Sequence, residues 1–97
     1  MATTKEYKDF VLEQLSLLNN ITCKPMMGEY LLYYNDLLFG GIYDDRLLVK
    51  KTTSNSKYTM EEVLPYNGAK PMYLVDDIDN IDTLKDIVLD TYNGLKK

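Results

Sequence analysis

The chain has 97 residues, with 11 Lys plus Arg against 15 Asp plus Glu and a formal net charge of −4. That length supports one modest core and a single domain, expected to span 1–97. There is no histidine and one cysteine, Cys23, which excludes Ser-His-Asp and Cys-His catalysis, His-ligated zinc, a histidine proton switch and an internal disulfide.

The first residues mix acidic and basic side chains without an apolar stretch, so no signal peptide is expected. No apolar run approaches the ~20 residues that span a bilayer. The expected address is the cytoplasm, with Cys23 reduced.

Residues 3–18 read as a helix. Thr3 and Glu6 have capping-box spacing, and Tyr7, Phe10, Val11, Leu15 and Leu18 form one apolar stripe of period 3.6. Asn19-Asn20 ends it, because Asn tolerates the left-handed backbone of a C-cap.

The middle reads as an antiparallel meander. Residues 21–27 form a first strand in which Pro25, lacking an N–H, belongs on an edge or at a bulge. Gly28 marks a bend. Residues 30–34 and 37–43 flank Asn35-Asp36, two residues that accept positive φ between apolar runs, which predicts a tight hairpin. Asp44-Asp45 repeats the device before a strand at 46–50. Gly40-Gly41 inside a strand predicts a bulge or a close backbone approach.

The polar stretch 51–58 is expected to be an exposed loop, and 59–64 a short helix capped by Thr59. Pro65-Tyr66-Asn67-Gly68 predicts a turn. Residues 70–75 form one more strand. A last helix over 80–95 buries Ile81, Leu84, Ile87, Val88, Tyr92 and Leu95, with Lys96 and Lys97 favoured by the dipole at its end. The sum is an α+β fold: a two-layer domain with a mainly antiparallel five-stranded sheet and the N- and C-terminal helices packed on one face.

Candidate chemistry is sparse. The pairs Asp44-Asp45, Glu61-Glu62 and Asp76-Asp77 read as turn and cap residues, since neighbours in a strand point to opposite faces. The 76–82 stretch lacks the Gly and the final Glu of a calcium loop and reads as a helix N-terminus. Cys23 reads as structural. No phosphate-loop motif is present. One segment interleaves aromatics with cations: Tyr43, Arg46, Lys50, Lys51, Lys57 and Tyr58. Residues 76–90 are the acidic counterpart, so the molecule is charge-polarised.

Residues 24–50 carry a resemblance. Lys24, Met27-Gly28, Tyr33-Tyr34, Asn35-Asp36, Phe39-Gly40-Gly41-Ile42, Asp44-Asp45 and Lys50 follow in an order similar to the N-terminal domain of the TfoX/Sxy regulators of natural competence. The preceding helix and the Pro71-Met72-Tyr73 strand are also similar. Met27 stands where the family often has Phe, and Glu29 where it has a second Gly. Competence regulators of the family carry a further C-terminal helical domain, so the expectation here is a stand-alone short member.

The resemblance implies a non-enzymatic regulatory or accessory protein acting through protein–protein contacts, in transcription control of DNA uptake, with no catalytic residue, cofactor or metal to transfer. Asp44, Asp45, Arg46, Lys50 and Lys51 are the candidate partner-binding residues. Two alternatives stand beside this reading: weak nucleic-acid binding through the 43–58 face, and a small-ligand module. A membrane partner is not expected. Edge strands leave monomer and homodimer both open.

Overall fold

The computed structural model describes residues 3–96. In chain order the elements are α1 (Lys5–Gln14), β1 (Ile21–Met26), β2 (Glu29–Tyr34), β3 (Leu37–Ile42), β4 (Leu47–Val49), a 3-10 turn (Ser56–Tyr58), β5 (Glu61–Val63), β6 (Met72–Val75) and α2 (Ile81–Leu95). One antiparallel sheet runs β1-β2-β3-β4-β6-β5. The α+β class and the placement of both helices on one face agree with the sequence.

The strand count is six, not five. Residues 59–64 do not form a helix: Glu61, Glu62 and Val63 pair with Leu74, Tyr73 and Met72. The segment is too short to make a helical stripe, and β6 offers it a row of unpaired backbone groups. Thr59 does not cap a helix N-terminus. It takes a left-handed conformation (φ 52°) that ends the 3-10 turn and reverses the chain into β5.

The predicted hairpins form as read. Asn35 and Asp36 have φ of 49° and 67°, and Asp44 and Asp45 have 54° and 55°. Positive φ at both central residues matches the right-handed twist of the flanking strands. Pro25 lies on the edge strand β1, where its missing N–H leaves no gap in the ladder.

A bulge sits in β3. Leu32 opposes Gly40 and Tyr33 opposes Leu38, which leaves Phe39 as the extra residue. The bulge re-aims Phe39 into the core, where it is fully buried. Gly40 is needed for close approach: a Cβ there would sit 2.2 Å from the Leu48 carbonyl oxygen on β4.

The helix-covered face holds the core. Val11 and Leu15 of the α1 region and Leu84, Ile87 and Val88 of α2 meet Leu32, Phe39, Ile42, Leu47, Val49 and Val75. Each such large side chain contributes about 1.5–3 kcal/mol by leaving water.

Three further expectations are corrected. The α1 cap is Thr4, whose hydroxyl accepts from the Tyr7 N–H at 3.2 Å, not Thr3 with Glu6. Thr3 is instead buried and bonded to β2. The helix also ends at Gln14, because the chain tightens through Ser16 N–H to Glu13 O and Leu18 N–H to Leu15 O bonds.

Within the loop at 51–58, Asn55 is fully buried rather than exposed. It donates to the Lys50 carbonyl and the Thr91 hydroxyl, both at 2.8 Å, and so ties the loop to α2. Asn80 caps α2 by accepting from the Thr83 N–H at 3.1 Å, while Lys97 lies outside the described residues.

Candidate functional site

The Asp44-Asp45 turn is a clasp rather than a free acidic knob. Asp45 accepts from the Thr4 N–H at 2.9 Å. Glu29 accepts from the Thr3 N–H at 3.0 Å, the Thr3 hydroxyl at 2.7 Å and the Asp44 N–H at 3.0 Å. The two carboxylates therefore fasten the start of α1 across β2 and the β3–β4 turn. Arg46 is committed too: its Nε donates to the Tyr43 carbonyl at 3.2 Å and its Nη2 to the Leu64 carbonyl at 3.4 Å.

Lys50 and Lys51 lie at the other end of β4. Lys51 pairs with Glu62 at 2.9 Å. Lys50 makes no ion pair among the described residues. The five candidate residues thus split into a structural pair, a structural arginine and two lysines.

The 43–58 segment also divides. Lys57 pairs with Asp90 at 3.1 Å, and the Tyr58 hydroxyl donates to Asp90 at 2.6 Å. Burial and then the Asp90 hydrogen bond push the Tyr58 hydroxyl up to about 12. The same bond, with Lys57 beside it, holds the Asp90 carboxyl below its ordinary value. Both side chains face α2, not the surface that carries Lys50.

The resembling residues sort by face. Phe39, Gly40 and Ile42 are buried and build the core. Tyr34 faces the helices, with its ring edge-on to Tyr92 at 4.9 Å. Met27 and Gly28 form the β1–β2 turn, and Met27 is 97% exposed. Lys24 and Tyr33 lie on the other face, the Lys24 amine 4.9 Å from the Tyr33 ring centre. Cys23 packs against the core, and burial pushes its thiol up, away from the reactive thiolate.

The face away from the helices contains the main concavity. Cross-strand register places Leu31, Gly41, Leu48 and Leu74 in one row there. The Tyr43 ring lies against Gly41, where a Cβ would meet it at 2.8 Å. Beside it runs an open groove of about 650 Å³ lined by Tyr43, Lys50, Lys51, Tyr66, Lys70 and Met72, among others. Leu95, the last residue of α2, also lines it, so the groove reaches the edge of the helical layer. A second hollow of about 450 Å³ is lined by Met26, Met27, Glu29, Tyr43 and Tyr66. Tyr43 and Tyr66, with ring centres 6.3 Å apart, form the wall between the two.

Sequence reading did not find Tyr66, Lys70, Met72 or Met26 as parts of this surface. They lie far from Lys50 in the chain: the register of β4 against β6 brings Lys70 and Met72 to it, while Met26 arrives on β1 and Tyr66 in the β5–β6 connection. The usable signal was Lys70-Pro71-Met72 at the head of a strand expected to pair in the same sheet.

Among the described residues, no group of three acidic or cysteine side chains is placed to hold a metal ion, and no helix is long and apolar enough to cross a membrane. The family model of the TfoX N-terminal domain matches residues 13–91. The chain belongs to that family. It is also similar to an uncharacterized 12.7 kDa protein in the trpE 5′ region of Spirochaeta aurantia. The two are 32% identical over 80 residues, covering 80% of this chain and 70% of the relative. The matched span of the TfoX N-terminal domain includes the whole sheet and most of α2, so the groove is made almost entirely of family-matched chain.

Proposed function

We propose that this TfoX N-terminal domain protein is a non-enzymatic regulatory or accessory protein that binds a protein partner through the helix-free face of its sheet. The proposed role, in transcription control of DNA uptake, is supported by membership of the TfoX N-terminal domain family. The observation that carries the partner reading is the groove between Tyr43, Lys50, Tyr66 and Lys70, which is concave, aromatic-walled and edged with cations. Tyrosine is enriched among the few residues that dominate binding at protein interfaces.

Affinity capture from host lysate, with and without nuclease, tests this reading. A protein that co-purifies in both halves and is lost with Lys50→Glu/Lys70→Glu is the expected result. Co-purification that disappears with nuclease would move the reading to nucleic acid. Capture unaffected by the double reversal would remove this face.

A further inference from the structure

We propose that the partner presents an extended, acidic peptide segment, with a large apolar side chain in the Met26/Met27/Tyr43/Tyr66 hollow and carboxylates beside Lys50 and Lys70; this rests on the protein-partner reading above.

Charge gives the first argument. Lys50 and Lys70 have no ion-pair partner among the described residues, whereas Lys51 on the same rim is already engaged by Glu62. The molecule as a whole is negative, and Asp76, Asp77, Asp79, Asp82 and Asp86 lie exposed before and along α2. An acidic segment is therefore repelled from the helical side and attracted to this rim.

The apolar end gives the second. Met27 is 97% exposed and Tyr66 59% exposed, and both line the 450 Å³ hollow. An exposed methionine beside a tyrosine pair is an adaptable seat for an apolar side chain. Glu29 also lines that hollow. Its carboxylate opposes a phosphate backbone running the length of the surface, and two unpaired lysines at one end do not make a phosphate track. These features favour a peptide over a nucleic-acid strand.

Spacing makes the motif specific. Tyr43 pairs with Arg46 through mutual backbone hydrogen bonds, and Lys50 lies four residues further along the chain. At a strand rise of about 3.3 Å per residue, Lys50 stands about 13 Å along the strand from the Tyr43 wall of the hollow. An extended segment meets both when its acidic and apolar residues stand about three to four positions apart.

Selection of random displayed peptides of about twelve residues against the full chain tests the proposal. The expected winners combine Asp or Glu with Leu, Ile, Phe, Met or Trp at that spacing. A labelled peptide carrying the winning sequence should bind at least about tenfold more weakly to Lys50→Glu/Lys70→Glu, and more weakly to Met27→Ser. Unchanged circular-dichroism melts would show that both variants remain folded. Amide shifts on titration should fall on Tyr43, Lys50 and residues 66–72.

No enrichment, winners without acidic residues, or shifts confined to the helices would overturn the proposal. So would tighter binding of an oligo-dT strand than of the winning peptide, or concentration-dependent self-association that competes with it. Failure here, with a nuclease-resistant partner still lost on the double reversal, removes the acidic segment and leaves the protein-partner reading standing. Failure of both removes both.

Discussion

The two faces of the sheet are built from alternate residues of the same strands, yet they end in opposite states. On one face, Leu32, Phe39, Ile42, Leu47, Val49 and Val75 are sealed under two helices. On the other, Leu48 is fully buried in the sheet, but the surface around it is a groove with tyrosine walls and lysines at its edge. The difference shows that one strand can divide its labour by parity. Leu47 and Val49 support the fold, while Lys50, the residue after the same strand, lines the open groove. The same holds for the run Phe39-Gly40-Gly41-Ile42, in which Phe39 and Ile42 are buried in the core and Gly40 and Gly41 allow close approach of neighbouring groups.

The sharpest break in this comparison is Phe39→Ala. It empties the bulge-directed pocket under both helices and should cost about 3–5 kcal/mol in denaturant unfolding, with partner binding lost only because the domain unfolds. Gly40→Ala comes next. Its methyl group would enter the Leu48 carbonyl, so β3 and β4 must separate, at a cost of about 1–3 kcal/mol in the same measurement.

A smaller effect is expected at the loop–helix contact. Tyr58→Phe removes the bond to Asp90 and should cost about 1 kcal/mol at neutral pH. Because the folded Tyr58 hydroxyl is raised to about 12, its contribution is full below the ordinary tyrosine value. It fades as pH rises toward about 12. Urea midpoints across that alkaline range should therefore fall less steeply in the variant. Asp90 works in the opposite sense: its lowered carboxyl stabilises above the ordinary carboxylate range and loses that contribution as pH falls.

The smallest stability effect belongs to Lys50→Glu/Lys70→Glu. Neither side chain holds an ion pair among the described residues, so the melt should move by no more than about 0.5 kcal/mol. That near-silence in stability, set against lost partner capture, is what separates the open face from the covered one.

Much of the fold was legible in the sequence. The helix stripe at Val11 and Leu15, both Asn/Asp hairpins and the cap region of α2 are local signals with local causes. The cap at Thr4 rather than Thr3 was not legible, because Glu29 on β2 and Asp45 in the β3–β4 turn, both distant in sequence, bond to those two threonines. The strand at 61–63 was missed for a similar reason, since its stability comes from β6. The site was legible only at Tyr43, Lys50 and Lys51. Asp44, Asp45 and Arg46 read as turn residues and partner candidates in sequence, but the Asp45 and Arg46 side chains bond to backbone groups and the Asp44 N–H is held by Glu29. Tyr66 and Lys70 complete the groove through pairing that no local window contains.

The most direct measurement of the central claim is site-specific photo-crosslinking in the native host. A photoreactive residue is placed at Tyr66 on the open face or at Asp86 on α2, and nuclease-treated extracts are compared. The account predicts a discrete protein adduct from position 66 and none from position 86. An adduct from 86 alone, or none from either position, would contradict it.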